Sequence, residues 1–267
     1  MKKPIRIAIV VVALGLAGVI LANDLMTPEY AKRLYEDPPA GAETVIFVGN
    51  SHTSRNHLPN MVERIADADE RHGPIWVQAH APGGWTLAQH VFHGGAEHAM
   101  GGHDVDYAVF QGNSVGPLVW PDEYLESFDE LAQMAVENDV RPILYQVWPR
   151  HPERDAWETY DAPETPDDID SAFAEIEEVT AEAIDGSSAT LAAVGRAWEK
   201  VRLSDSFIDL YADDGNHANE AGTYLAALVI YGTIRGSELP AEPWHPSSME
   251  GETAAVLRGA AEAVLAQ

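Results

Sequence analysis

The chain has 267 residues and no cysteine, which excludes disulfide bonds, thiolate chemistry and Cys-rich zinc sites. Its hydrophobic content of 46% is enough for one sizeable α/β domain or two small ones. The formal net charge of −27 at pH 7 produces a surface that repels nucleic acid and anionic membranes, so no nucleic-acid partner is expected.

The N-terminus combines a basic flank with an apolar run. Lys2, Lys3 and Arg6 precede apolar residues 7–22, the order that is typical of an export signal. The run is short for a membrane span, which needs about 20 apolar residues. A bulky residue stands where a signal peptidase prefers a small one, so an uncleaved anchor tethered through residues 7–22 is the alternative. In both interpretations residues 1–22 predict an exported protein: periplasmic, extracellular or anchored to the cytoplasmic membrane facing outward.

Residues 23–43 are rich in proline and polar residues and predict a linker. Beyond them, apolar runs with strand character alternate with segments of helical periodicity. The predicted strands cover residues 44–48, 75–79, 106–110, 141–148 and 189–195. The predicted helices cover residues 58–70, 85–95, 121–139, 167–184, 219–234 and 253–266. This alternation predicts an α/β domain over residues 44–267, with a parallel sheet covered by helices on both faces.

Polar blocks follow three of the predicted strands, and a fourth precedes a long predicted helix. In an open parallel sheet, ligands bind outside the carboxyl ends of the strands, so these blocks are candidates for one site. They are the serine block GNS (49–51), the glycine block GGWT (83–86), the asparagine block QGNS (111–114) and the histidine block DGNH (214–217).

The residue types in these blocks are those of an acyl-transfer site. The Ser51 hydroxyl needs a base to become a nucleophile, and His217 can take its proton. Asp214 can hold the His217 imidazole in the useful tautomer and stabilise the imidazolium. The oxyanion of a tetrahedral intermediate needs fixed donors. The N–H of Ser51, the N–H of a glycine in the glycine block and the amide of Asn113 can supply them.

In their order and position, the four blocks resemble those of the SGNH or GDSL-like hydrolase superfamily. The resemblance covers residues 44–240, and within the superfamily the chain looks like a bacterial branch. It implies a three-layer α/β/α sandwich with a flavodoxin-like, five-stranded parallel sheet of order 2-1-3-4-5. It also implies a catalytic triad of Ser51, Asp214 and His217. The implied oxyanion hole consists of Ser51, Gly84 and Asn113, with no cofactor and no metal.

Two positions depart from the family's pattern. Asn50 stands before the serine, where the family usually has Asp. In the asparagine block Gly112 and Asn113 are adjacent, whereas the family usually has Gly-x-Asn-Asp, so Gln111 is a rival to Asn113 as oxyanion donor. In the glycine block, Gly84 is preferred because GWT matches the family's Gly-x-Thr.

Several other residues allow a second interpretation. His90 and His93 are three apart on a predicted helix, a spacing that can bind zinc, but histidines at the surface or at the edge of the core are the preferred interpretation. Calcium binding by residues 212–220 is disfavoured because the ligand spacing of an EF-hand is missing. His52 is expected to line the pocket without a catalytic role. The tryptophans near the strand ends are read either as a platform for a sugar or acyl group or as core residues; they are Trp85, Trp120 and Trp148.

The sequence therefore predicts an exported serine esterase that hydrolyses an O-acyl ester through an acyl-enzyme. Its expected partner is a small-molecule or glycan ester, with a carbohydrate as one option for the alcohol. Two alternatives remain open. One is a non-catalytic, surface glycan-binding module of the same fold, against which the set of Ser, Asp and His argues. The other is an O-acyltransferase that uses the same triad.

Overall fold

A computed structural model describes residues 37–100, 104–151, 168–236 and 238–267, without the side chain of His98. The predicted export segment and most of the predicted linker lie outside the described residues. Within the four ranges, no helix combines the length and the apolar character needed to cross a membrane.

Five parallel strands form the sheet. They are β1 (Glu43–Val48), β2 (Ile75–His80), β3 (Tyr107–Phe110), β4 (Arg141–Tyr145) and β5 (Thr190–Ala192). Their order is β2-β1-β3-β4-β5, which confirms the predicted topology. Val48 is in register with His80 on one side and with Phe110 on the other, so the first three strands end at the same level. The residues that follow these strands therefore meet at one edge of the sheet.

Helices connect the strands and cover both faces of the sheet. The helices before β4 are α1 (Ser51–Ser54), α2 (Leu58–Asp67), α3 (Leu87–His93), α4 (Gly95–Met100), α5 (Gly116–Val119) and α6 (Pro121–Glu137). The later helices are α7 (Ile169–Ile184), α8 (Val194–Arg202), α9 (Glu220–Ile234) and α10 (Gly251–Leu265). A single 3-10 turn, Arg55–His57, joins α1 to α2.

The side chains of the central strands alternate between two hydrophobic cores, because successive residues of a strand point to opposite faces. Val45 and Phe47 belong to the core that is covered by α2, α8, α9 and α10. Ile46 and Val48 belong to the core that is covered mainly by α3, α4 and α6. The sheet is therefore buried on both faces, which is the predicted three-layer sandwich.

The structure differs from the sequence prediction near β5 and at the start of β1. The predicted strand over 189–195 ends at Ala192, and Val194–Arg202 forms a helix whose buried residues recur with helical spacing. A short apolar run does not distinguish a strand from a buried helix, which explains the error. At the other end, Glu43 was assigned to the linker but is the first residue of β1 and pairs with Ile75.

Candidate active site

The serine block forms a tight turn between β1 and α1. Asn50 caps α1, with its side-chain oxygen accepting the N–H of His52 at 3.0 Å. A Cβ at position 49 would lie 2.5 Å from Thr53 Oγ1 and 2.6 Å from Gln111 Oε1, so only glycine fits there. The strand stops at this point because the turn packs directly against the residue that follows β3, and the turn leaves Ser51 half-buried at the edge of the sheet.

The structure brings together the three residues that were predicted as a triad. Ser51 Oγ lies 2.7 Å from His217 Nε2, and His217 Nδ1 lies 2.7 Å from Asp214 Oδ2. The other oxygen of Asp214 accepts the backbone N–H groups of Asn216 at 3.0 Å and of His217 at 2.9 Å. The histidine block thus fixes its own carboxylate, and the carboxylate in turn orients the imidazole.

Burial and hydrogen bonding set the charges of the Asp–His pair. Burial lowers the pKa of His217 below its ordinary value, although Asp214 acts to raise it. Burial acts to raise the pKa of Asp214. Hydrogen bonds from His217, Asn216 and Arg55 outweigh that effect and hold the pKa of this carboxyl well below its usual range. At neutral pH the pair is therefore a neutral imidazole beside a carboxylate, the state that a general base requires.

Arg55 is a member of the site that the sequence analysis missed. Its guanidinium donates to Asp214 Oδ2 at 2.6 Å, the same oxygen that lies against His217 Nδ1. The next residue, Asn56, donates to the carbonyl of Ala218 at 2.9 Å. The turn after α1 therefore holds the histidine block at two points. A basic residue one helical turn after Ser51 was the only signal in the sequence.

Asn50 links the ends of three strands. Its backbone N–H donates to Gln111 Oε1 at 3.0 Å, and its side-chain nitrogen donates to the carbonyl of Trp85 at 2.9 Å. The residue is almost completely buried, with 1% exposure. An aspartate could not donate to the Trp85 carbonyl, so the amide is needed to join the serine block to the glycine block.

The side chain of Gln111, the rival oxyanion donor, is hydrogen-bonded to the residues around it. Its side-chain oxygen accepts from the backbone of Asn50 and from Thr53 Oγ1, the latter at 2.8 Å, and its nitrogen donates to the carbonyl of Gly112. Gln111 is also completely buried, with 0% exposure, and its amide is turned toward the Gly112 carbonyl, so Asn113 remains the candidate in this block.

The two other oxyanion candidates lie at the same edge of the sheet as Ser51. Gly84 has a φ of +73°, a left-handed conformation that favours glycine. It precedes Trp85, and the carbonyl of Trp85 accepts a hydrogen bond from the side chain of Asn50. Asn113 is half-buried at the start of the segment after β3. Among the described contacts, no hydrogen bond joins Gly84 or Asn113 to Ser51, so their assignment rests on their position in the fold.

Among the side chains that the structure describes, the histidines after β2 do not converge on a metal site. His90 is completely buried, and its Nε2–H donates to the carbonyl of Gly49 at 2.8 Å. Burial lowers the pKa of His90 to about 4, so it is neutral. Its partner in the zinc hypothesis, His93, is exposed and lies against the Trp85 ring at 4.8 Å. The preferred interpretation as a surface or core-edge residue is thus wrong for His90, because its side chain is buried and supports the turn that carries Ser51. Across the described ranges, no cluster of three or more His, Asp or Glu could hold a metal ion.

His52 and Trp148 form the wall behind His217. The His52 ring lies 4.9 Å from the ring of His217 and 5.3 Å from that of Trp148. Burial lowers the pKa of His52 to about 3, so this wall is uncharged. Trp148 is fully buried and its indole N–H donates to the carbonyl of Asn216 at 3.1 Å. A platform for substrate is therefore excluded for Trp148, which instead supports the histidine block.

The calcium interpretation of residues 212–220 does not fit the geometry. Both oxygens of Asp214 are occupied, one by backbone N–H groups and the other by Arg55 and His217. A cation at this carboxylate would meet an arginine and a ring N–H instead of free oxygen ligands.

Solved structures similar to this chain share its fold. A proposed SGNH hydrolase from Slackia heliotrinireducens is 28% identical, with a TM-score of 0.61 over 72% of this chain and 99% of that chain. A DUF4886 family protein from Bacteroides uniformis is 18% identical, with a TM-score of 0.64 over 84% and 95%. An acetyl-xylooligosaccharide esterase from Geobacillus is 15% identical, with a TM-score of 0.53 over 73% and 95%. The chain therefore has the SGNH/GDSL-like hydrolase fold that its four blocks predicted.

No protein-family model matches the sequence, and no curated protein is significantly similar to it.

Proposed function

We propose that this protein is a serine esterase that works through an acyl-enzyme. The observation that carries the proposal is the continuous contact from Ser51 Oγ to His217 Nε2 and from His217 Nδ1 to Asp214, at 2.7 Å for each step. These distances lie within the range for proton transfer between a nucleophile, its base and the group that orients the base. The hydrolase fold supports the same reading.

In the first half of the reaction, Ser51 Oγ attacks the carbonyl carbon of the ester while its proton passes to His217 Nε2. The negative charge on the carbonyl oxygen is received by the N–H groups of Ser51 and Gly84 and by the amide of Asn113. Asp214 stabilises the imidazolium. Collapse of the intermediate breaks the bond to the alcohol, which leaves with the proton of His217.

In the second half, water attacks the acyl carbon and gives a proton to His217. The bond between the acyl carbon and Ser51 Oγ then breaks, the carboxylic acid departs, and Ser51 recovers its proton. Every proton that moves is accepted and returned by His217 Nε2, so the cycle needs no cofactor.

The substrate and the location of the enzyme are part of the proposal. We place it outside the cytoplasm, because a basic flank precedes the apolar residues 7–22. An O-acyl group on a carbohydrate is the favoured ester; this choice is supported by the similar fold of the acetyl-xylooligosaccharide esterase from Geobacillus. Fractionation of cells that produce the full chain tests location, and recovery of full-length protein in the soluble cytoplasm would contradict it.

Labelling with a fluorophosphonate probe tests the mechanism directly. The purified protein is expected to become covalently modified at Ser51, as located by mass spectrometry of the labelled peptide, and to hydrolyse p-nitrophenyl acetate. Ser51→Ala should abolish both results and leave the circular dichroism spectrum unchanged. A wild-type protein that neither reacts with the probe nor cleaves any ester would instead favour the binding module. Efficient transfer of the acyl group to a sugar in preference to water would identify an acyltransferase.

A further inference from the structure

A small cavity lies beside the proposed oxyanion donor. Asn113 and Tyr124 line it, together with Thr86, Leu87 and Gly116. Its volume is about 10 Å³. That is at the lower limit of the room that a single water needs, about 10–15 Å³.

Two residues that line this cavity each carry a buried polar atom without a partner. Asn113 Oδ1 and Tyr124 Oη are both buried, and neither makes a hydrogen bond within the described part of the chain. Tyr124 as a whole is only 5% exposed. Buried polar atoms are normally hydrogen-bonded to protein or to ordered water. Since both residues line one water-sized cavity, a water held there would give both atoms a partner.

Two glycines allow these side chains to approach each other. A Cβ at Gly116 would lie 2.7 Å from Asn113 Oδ1 and 3.1 Å from Tyr124 Cδ2. A Cβ at Gly112 would lie 2.5 Å from Tyr124 Cε2. The Tyr124 ring and the Asn113 amide thus occupy space that any other residue at 112 or 116 would fill.

We propose that Tyr124 is a positioning residue of the oxyanion hole and acts through one water held in this cavity. Its hydroxyl donates to the water, and the water donates to Asn113 Oδ1. With the oxygen held inward, Asn113 Nδ2 is turned the opposite way and can donate to the oxyanion. The reverse orientation of the amide would present its oxygen to a developing negative charge, which is repulsive. Burial raises the pKa of Tyr124, so the hydroxyl keeps the proton that it donates.

The inference rests on the proposed esterase function, so wild-type activity is established first. In Tyr124→Phe the ring that packs on Gly112 and Gly116 is kept and only the hydroxyl is lost. We expect kcat for p-nitrophenyl acetate to fall by about tenfold and KM to stay within about twofold, because a lost oxyanion contact weakens the transition state and not substrate binding.

Tyr224→Phe is the matched control. Its hydroxyl is equally buried and unpaired in the described part of the chain, but it lies between α9 and α10. We expect wild-type kcat for this variant. If both variants lose the same activity, or if Tyr124→Phe keeps wild-type kcat while the wild type is active, the inference is wrong. An inert wild type would instead remove the proposed function.

A double-mutant cycle tests whether Tyr124 acts through Asn113. Asn113→Ala alone should lower kcat by about 10². Adding Tyr124→Phe to it should cause no further loss, since the amide that the water orients is already gone. If the fold-loss in kcat of the double variant equals the product of the two single losses, the inference is wrong.

Gly116→Ala gives a second test of the same site. It should displace the Asn113 amide and lower kcat. Gly259→Ala, whose Cβ would meet open space on α10, should leave kcat unchanged.

Discussion

The guanidinium of Arg55 donates a hydrogen bond of 2.6 Å to Asp214 Oδ2, and this is the oxygen that lies 2.7 Å from His217 Nδ1. One carboxylate oxygen thus contacts both the guanidinium of Arg55 and the imidazole of His217, which becomes cationic when it is protonated. Arg55 stabilises the charge of Asp214 but opposes a positive charge on His217. Its side chain is 48% exposed, so solvent and salt screen part of this effect.

The first prediction is that Arg55→Gln moves the acid limb of kcat/KM to higher pH. The charged and titratable groups around His217 are Asp214, which raises its pKa, and Arg55 and Arg150, which lower it; the nearby His52 is neutral. The base works only unprotonated, so activity is lost as pH falls through the pKa of His217. Without Arg55 that pKa rises, and the variant loses activity at a higher pH than the wild type.

The control for this prediction is Arg258→Gln, which removes the same charge from an exposed ion pair with Glu262 on α10. It should leave the acid limb in place. The shift caused by Arg55→Gln should also shrink in 1 M salt, where the Debye length is about 3 Å. Superimposable pH profiles for Arg55→Gln and wild type at low salt would show that Arg55 is only structural.

The second prediction concerns the carboxylate itself. Asp214→Asn should reduce kcat by about 10², less than the loss of about 10⁴ seen for the equivalent change in a serine protease. The side chain of Asp214 is 40% exposed, so solvent replaces part of the stabilisation of the imidazolium. His217→Ala should lose more. A folded His217→Ala protein with an undiminished esterase rate would exclude His217 as the base.

The third prediction is that Asn50→Asp destabilises the protein. The buried carboxylate loses the donor to the Trp85 carbonyl and leaves that carbonyl facing a negative charge. We expect a loss of roughly 1–3 kcal/mol or more in the free energy of unfolding. Asn138→Asp, at an exposed side chain that also donates to a backbone carbonyl, should cost less than about 1 kcal/mol. Equal losses from urea denaturation would contradict the linking role of Asn50.

The fourth prediction concerns stability in acid. Asp69 is buried, and its Oδ2 accepts from Arg71 at 2.7 Å and from Tyr231 at 2.6 Å. The hydrogen bond from Arg71 is the main reason that the pKa of Asp69 lies far below its ordinary value. A depressed pKa stabilises the fold above the unfolded-state pKa of about 3.9, and this stabilisation disappears as pH falls toward the folded-state pKa.

Asp69→Asn should therefore be less stable than the wild type at pH 7, and the difference should narrow below about pH 4. Thermal unfolding across pH measures it. Asp129→Asn, at an exposed carboxylate on α6, serves as the control and should show no such convergence. A constant difference at all pH values would mean that the network does not act through the charge of Asp69.

The fifth prediction follows from the net charge of −27. Repulsion between surface carboxylates is strongest at low ionic strength, where the Debye length is about 30 Å at 0.01 M salt. We expect the Tm to rise between 0.01 M and 1 M salt. A flat or falling Tm would show that repulsion between surface carboxylates does not limit the stability of the fold, and it would leave the catalytic proposal untouched.

The sequence by itself determined the fold and the identity of the candidate triad. Alternating periodicities predicted a parallel sheet, and the carboxyl ends of such strands meet at one edge. Ser51, Asp214 and His217 can be recognised in the sequence for two reasons. Acyl transfer needs a serine, a histidine and an aspartate, and the blocks that contain them stand next to the predicted strands and helices in the expected order.

Only the tertiary structure decided which other side chains serve the site. Arg55 contacts Asp214, which lies 159 positions away in the chain. The side-chain oxygen of Gln111 accepts the backbone N–H of Asn50, which lies 61 positions away. The Tyr124 ring packs on Gly112 and Gly116, and the Asn113 amide packs on Gly116 beside it. Periodicity and residue type report on local conformation and burial. Contacts of this kind depend on how separate segments pack and on the direction in which each side chain points, and no local pattern in the sequence encodes that.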